Sequence, residues 1–202
     1  MRRARIAVLV SGGGTNLGAM IAAERDGIIK SGEIALVISN NPSAYALERA
    51  KLAGIPTALA VKRELGSTEA FEGRIKALLS EYEIDLIVLA GFMSILSEDF
   101  TRDYPRRIIN VHPALIPAFC GKGYYGLHVH EAVLEYGCKV SGATVHFVNE
   151  IPDGGEIILQ KAVPVLKNDT PEKLQKRIME RAEWKLLPRA VELVSREITA
   201  NK

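Results

Sequence analysis

The 202-residue chain reads as an α/β protein, a mostly parallel sheet with helices on both faces and an antiparallel edge near its carboxyl terminus. Three observations lead there. Apolar runs without polar alternation, such as RIAVLV at Arg5–Val10 and DLIVL at Asp85–Leu89, mark strands buried on both faces. Helical patterns separate these runs, so successive strands can lie parallel through helical crossovers. The last two strand-like runs follow each other without a clear helix between them, which suits an antiparallel pair.

The elements fall in order. The strand Arg5–Val10 enters a glycine loop, then a helix over Asn16 to Asp26. Ile34–Ser39 (IALVIS) is the second strand. Asn40-Asn41-Pro42-Ser43 marks a turn and a helix start, and that helix runs to about Ala53, where Gly54 closes it. Pro56–Ala60 is a third, weaker strand. Phe71, Ile75, Leu78 and Leu79 have helical spacing within Thr68–Tyr82. Asp85–Leu89 and Ile108–Val111 are buried strands, His128–Tyr136 a helix, and Val140–Phe147 and Ile157–Val165 the last two strands. Thr170–Ser195 is a long helical stretch, expected to break near Pro188. No linker or repeat divides the chain, so a single domain over 1–202 with a Rossmann-like sheet is expected. In such sheets ligands bind beyond the carboxyl ends of the strands. Ser11–Asn16, Gly91–Leu96 and Asn110–Pro117 should gather there.

Composition narrows the partners. Lys and Arg number 26 against 24 Asp and Glu, a net charge of +2 that gives no support to a nucleic-acid-binding face. The apolar runs are too short to span a bilayer, and the one near the amino terminus runs straight into Ser-Gly-Gly-Gly as a strand would. Cys120 and Cys138 imply no disulfide scaffold. A cytoplasmic protein, monomer or homodimer, without membrane partners is expected.

Three stretches could carry chemistry. SGGGTN (Ser11–Asn16) follows a strand and opens a helix, where backbone N–H groups and the helix dipole suit an anion. No Gly-Lys-Ser/Thr follows, and Leu17 stands where a dinucleotide fingerprint needs its third glycine. A single phosphate therefore suits it better than a pyrophosphate; a plain tight turn is the alternative. Asn110 and His112 lie two apart on an extended segment, so they point the same way, and Pro113 keeps the backbone extended. An amide and an imidazole there could stabilise an oxyanion and move a proton. A histidine that merely satisfies a turn carbonyl is the other reading. Asp153, in the turn sequence NEIPDGG, is either a turn residue or a carboxylate that orients a histidine and favours its charged form. His128 and His130 do not share a helix face and no zinc-type spacing surrounds them, so no metal is expected. His146 reads as a packed or satisfied histidine, although one that could sit near the site.

In this order the pieces resemble the phosphoribosylglycinamide formyltransferase family, folate-dependent enzymes of purine synthesis. The resemblance rests on VLVSGGGTNL, LAGFMSILS, INVHPALIP, SGATVHFV and DGGEIILQ, which span nearly the whole chain. It implies 10-formyltetrahydrofolate as co-substrate, 5-phosphoribosylglycinamide as acceptor and no metal. By position it implies a catalytic trio of Asn110, His112 and Asp153. It implies a substrate site at Gly13, Gly14, Thr15 and Asn16 with Glu183 (Glu180 lies nearby). The folate pocket would use Thr68, Phe92, Met93, Ser94, Ile95, Leu96 and Asn110, with the loop Asn149, Glu150, Ile151, Pro152 and Asp153. Many members carry arginine where Ser94 stands, and often where Thr68 stands. The stretch Phe119–Gly126 is longer than in some members, and its glycines suit a mobile loop over the substrate.

The chemistry this implies is attack of a neutral glycyl amine on the formyl carbon. Asn110 and a protonated His112 would stabilise the oxyanion, and Asp153 would keep His112 charged. Three rivals share parts of the pattern. A formyltetrahydrofolate hydrolase would use the same trio on water but usually carries a further amino-terminal domain. An initiator-tRNA formylase would carry a carboxyl-terminal RNA-binding domain. A phosphate- or nucleotide-binding module without catalysis would explain SGGGTN alone.

Overall fold

The computed structural model describes residues 2–201. Burial on two faces accounts for its strands. In β1 (Ala4–Val10), Ile6, Val8 and Val10 enter one core while Ala7 and Leu9 enter the other. The remaining strands are β2 (Gly32–Ser39), β3 (Thr57–Leu59), β4 (Leu86–Leu89), β5 (Ile108–His112), β6 (Val140–Phe147) and β7 (Ile157–Pro164). They form one seven-stranded sheet in the order β3-β2-β1-β4-β5-β6-β7. The pairings among β1 to β5 are parallel, and β6 is antiparallel to both β5 and β7. The reversed strand is thus β6, and the edge strand β7 again runs with the parallel set.

Helices cover both faces. Leu17 and Met20 of α1 (Thr15–Arg25) and Ala46 and Ala50 of α2 (Tyr45–Leu52) join the first core. The short α3 (Lys62–Leu65) leads into α4 (Thr68–Glu81), whose Phe71, Ile75, Leu78 and Leu79 build the second core with Phe100 of α5 (Glu98–Asp103). α6 (Leu127–Glu135), α7 (Pro171–Ile178) and α8 (Trp184–Ala200) complete the first core. The sequence reading has neither α3 nor α5. For α5 a signal was available: the Ser97 hydroxyl accepts the Phe100 N–H at 3.1 Å, with Glu98 and Asp99 in the first turn.

One boundary differs from expectation. The terminal helix continues through Pro188, and its irregularity lies upstream as a π turn at Met179–Glu183. There the Trp184 N–H reaches back five residues to the Met179 carbonyl, so the chain accommodates an extra residue without ending the helix. That turn places Glu183 inside the protein.

The order of strands opens the crevice. Connections from β1 and β4 lead to opposite sides of the sheet, so the loops after these neighbouring strands diverge. The two loops remain tied across the gap. Ser11 N–H donates to the Gly91 carbonyl at 3.1 Å, and Met93 N–H to the Ser11 hydroxyl at 2.8 Å.

His130 on α6 is fully buried, and neither ring nitrogen has a partner among the described residues. Burial first, and the neighbouring His112 second, push its pKa down to about 4. Below pH 6.5, the ordinary value, the unfolded chain binds a proton that the native state refuses. Native stability should therefore fall between pH 6.5 and about 4, by roughly 3 kcal/mol from this group. Denaturant melts at pH 7.5 and 4.5 should show this loss, and His130→Asn should flatten it; an equal slope in both proteins would refute the assignment.

Candidate active site

The loop after β1 turns its acceptors away from the crevice. Ser11 O accepts from Asn41 Nδ2 at 3.1 Å, Gly12 O from Ala46 N–H at 3.0 Å, and Gly14 O from Gly18 N–H at 2.9 Å. Gly14 has φ 68°, and a Cβ there would lie 2.6 Å from the Ala46 Cβ, so both its conformation and its packing on α2 require glycine. The first N–H groups of α1, from Thr15 onward, have no carbonyl within the helix to bind and carry the positive end of its dipole. An anion is the natural acceptor for them.

Beside this loop, Asn16 Nδ2 donates to Glu183 Oε2 at 2.7 Å, with both side chains buried. The bond commits the amide nitrogen and leaves Asn16 Oδ1 buried with no partner among the described residues. Burial pushes the Glu183 carboxyl above its ordinary value, and the Asn16 hydrogen bond opposes it. The arrangement suits a ligand that brings its own donors, a hydroxyl or an amine. Thr15 Oγ1 lies 3.8 Å from Met179 Sδ, so the π turn also flanks the loop.

The second cluster forms at the end of β5. Asn110 Nδ2 donates to Asp153 Oδ1 at 3.4 Å, and His112 Nδ1 lies 3.5 Å from Asp153 Oδ2. Asp153 sits in the β6–β7 loop with φ 56°. Two features hold it in that position. Gly155 passes so close to β6 that a Cβ would lie 1.8 Å from the Phe147 carbonyl oxygen. Asp153 Oδ2 also accepts the Gly121 N–H at 2.9 Å. Its carboxyl lies below its ordinary value: burial acts to raise it, and the neighbouring His146, His112 and Gly121 N–H outweigh that.

His146 is a full member of this cluster. Its Nε2 lies 3.6 Å from Asp153 Oδ1 and 3.3 Å from Asn110 Nδ2, while Nδ1 donates to the Phe147 carbonyl at 2.8 Å. The antiparallel register of β5 and β6 brings it there, because His146 is the partner of Asn110.

The charge expected on His112 is not what the surroundings favour. Burial lowers its pKa below 6.5, and this outweighs the opposing pull of Asp153 and of the Phe119 carbonyl. Burial thus favours the neutral ring over the charged one. The 2.8 Å contact between Nε2 and the Phe119 carbonyl assigns the proton to Nε2, leaving Nδ1 toward Asp153. His112 thus does satisfy a turn carbonyl, one belonging to the glycine-rich loop; Phe119 itself has φ 50°. That loop caps both catalytic candidates with main-chain groups, Phe119 O on His112 and Gly121 N–H on Asp153.

A cavity of about 140 Å³ adjoins the cluster. Leu89, Phe92, Leu96, Val148 and Pro152 supply apolar walls, and Ser94, Ile95, Asn110, His146, Asn149, Glu150 and Asp153 complete the lining. Apolar walls with a few polar groups are the usual lining of a small-molecule site. Three of the expected pocket residues are not in this lining. Met93 is 56% exposed and engages Ser11 through its backbone, and Ile151 is 58% exposed on its turn. Thr68 opens α4, which contributes instead through Phe71, whose ring stacks on Phe92 at 6.4 Å. Ser94 is held by Asn40 Nδ2 at 2.8 Å. Gly13 lies in the glycine loop after β1, and Glu180 lies in the π turn, half-exposed. His128 is exposed and pairs with Glu131. Among the described residues no group of three His, Cys, Asp or Glu could hold a metal ion, and no helix is long and apolar enough to cross a membrane.

The formyl transferase family profile matches residues 4–191. Among curated relatives, the trifunctional purine biosynthetic protein adenosine-3 of Drosophila melanogaster is 44% identical over 96% of this chain and 14% of its own length. The chloroplastic phosphoribosylglycinamide formyltransferase of Arabidopsis thaliana is 41% identical over 88% of the chain and 61% of its own length. The phosphoribosylglycinamide formyltransferase of Haemophilus influenzae is 42% identical over 91% and 84%. The chain thus spans less than two thirds of the first two relatives. The crystal structure of glycinamide ribonucleotide transformylase 1 from Symbiobacterium toebii superposes with a TM-score of 0.90 at 42% identity, covering 96% of this chain and 89% of that one.

Two substitutions probe this geometry. Asp153→Asn removes the charge that raises the His112 pKa, so the His112 ring resonances should titrate at a lower pH than in the parent; an unmoved titration would show that the two do not couple. Gly14→Ala forces a strained φ and a collision with α2, and should cost about 1–3 kcal/mol in a denaturant melt.

Proposed function

The chain belongs to the formyl transferase family, and on that premise we propose that it transfers the formyl group of 10-formyltetrahydrofolate to the glycyl amine of 5-phosphoribosylglycinamide. One observation carries the reading: Asn110 and His112 lie within 3.5 Å of Asp153 beside a cavity with apolar walls. The anion-binding loop opens on the same crevice, tied to the loop after β4.

Each part of the site then has a task. The N–H groups of Gly14, Thr15 and Asn16 hold the substrate phosphate. Asn16 Oδ1 and Glu183 accept from donors nearer the reacting amine. The cavity from Leu89 to Asp153 holds the pterin ring, and the co-substrate supplies the formyl group. Asn110 Nδ2 donates to the formyl oxygen as it becomes an oxyanion, and so does His112 Nε2–H once it leaves the Phe119 carbonyl. A neutral imidazole is a competent donor for this purpose. The amine nitrogen forms a bond to the formyl carbon, the bond from that carbon to the folate nitrogen breaks, and one proton passes from the first nitrogen to the second through His112 or water. Asp153 orients His112 and Asn110 for this step. Holding both substrates in the crevice removes much of the entropic part of the barrier.

The proposal predicts loss of formyl from 10-formyltetrahydrofolate, followed by absorbance, only when 5-phosphoribosylglycinamide is present, with formylated product by mass. Equal loss without the amine would indicate a hydrolase instead. Asn110→Ala should lower kcat about 10²–10³-fold while KM for either substrate changes little.

A further inference from the structure

The anion loop contains three successive glycines, Gly12, Gly13 and Gly14, and a built Cβ at Gly12 or Gly13 would meet no atom within 4 Å. Neither residue of the Gly13–Gly14 peptide has a side chain to restrain it, and rotating it would aim a carbonyl at the anion where an N–H is needed. A glycine pair makes that rotation easy. The peptide is nevertheless held, by Arg49 of α2: its Nε donates to the Gly13 carbonyl at 2.8 Å. In a planar trans peptide the C=O and the next N–H point in opposite directions. Gripping Gly13 O from the α2 side therefore turns Gly14 N–H away from α2. Ala46 N–H does the same through Gly12 O for the N–H of Gly13.

Arg49 is itself held. Its guanidinium lies over the Tyr45 ring, 5.0 Å from the centroid, and its Cδ and Nη1 lie within 3.5 Å of where Cβ atoms of Gly14 and Gly18 would be. Among the described residues it is the one Lys or Arg with a hydrogen bond to the loop. Asn16 Oδ1, buried and unpartnered beside the same loop, independently marks the place as one that a ligand completes.

We propose that Arg49 is the positioning residue of the phosphate site, fixing the Gly13–Gly14 peptide so that Gly14 N–H faces the phosphate of the acceptor substrate. This rests on the loop's reading as a phosphate site. The residue acts through the loop carbonyl, so its loss should weaken phosphate binding and leave the formyl-transfer step intact.

The test is titration of isotope-labelled protein with inorganic phosphate, following the Gly14 amide, alongside steady-state kinetics. Arg49→Met should weaken phosphate binding about tenfold and raise KM for 5-phosphoribosylglycinamide similarly, with kcat and KM for the formyl donor within about twofold. Arg49→Lys should not restore affinity, because an ammonium lacks the fixed Nε geometry. Tyr45→Leu, which loosens the guanidinium but keeps the arginine, should give a smaller loss of the same kind and serves if Arg49→Met folds poorly. Unchanged phosphate affinity in Arg49→Met overturns the inference, and full rescue by lysine replaces geometry with charge alone. If phosphate does not shift Gly14 in the parent protein, the reading of the loop fails and takes this inference with it.

Discussion

The carboxylate of Asp153 is the contact on which the site depends. It accepts from Asn110 and from the Gly121 N–H, and it faces both His112 and His146. The end of β5, the glycine-rich loop and β6 therefore meet at one charged group. Its backbone is left-handed at φ 56°, a conformation that aspartate tolerates better than most residues. Its surroundings, the Gly121 N–H among them, hold its pKa below the ordinary value despite its burial. In return it opposes the burial that lowers the His112 pKa. The two groups are best understood as one unit, with burial deciding where the proton resides.

The crevice around that unit follows from topology. Because β1 and β4 are neighbours whose connections diverge, their loops open a gap that no side chain need be sacrificed to create. One wall is the glycine loop after β1, whose Gly12 and Gly13 carbonyls are turned toward α2. The other is the end of β5, where Asn110 and His112 point together. The terminal helix closes the amino-terminal side by delivering Glu183 to Asn16 through a π turn. Such turns recur at functional sites because they redirect a side chain without ending the helix.

Most of the sheet was legible in the sequence because its strands are continuously apolar and its turns are marked by glycine, proline or asparagine. Asn110 and His112 were legible as a pair from their spacing, and Asp153 from its motif. What escaped depends on contacts between remote segments. The position of His146 beside Asp153 requires knowing that β6 pairs antiparallel with β5 in one register. The neutral state of His112 depends on burial, which a motif does not display. Arg49 is an ordinary helical arginine until α2 is laid against the glycine loop. The π turn has no composition of its own, and Pro188 drew the expected break to the wrong place. Thr68, Met93 and Ile151 were assigned by position in a family pattern and are not among the residues that line the cavity.

The bond from His112 to the Phe119 carbonyl joins a side chain to the main chain. The residue at 119 supplies that acceptor whatever its side chain, provided the backbone can hold φ near 50°. Its phenyl ring serves another purpose, meeting Tyr124 and Tyr136 edge-on. Variation at 119 can therefore retune how firmly the loop rests on the protein while leaving intact the oxygen that occupies the histidine. The resting partner of His112 is thus written in chain geometry rather than in residue identity. A comparison of related sequences by residue type alone would pass over it.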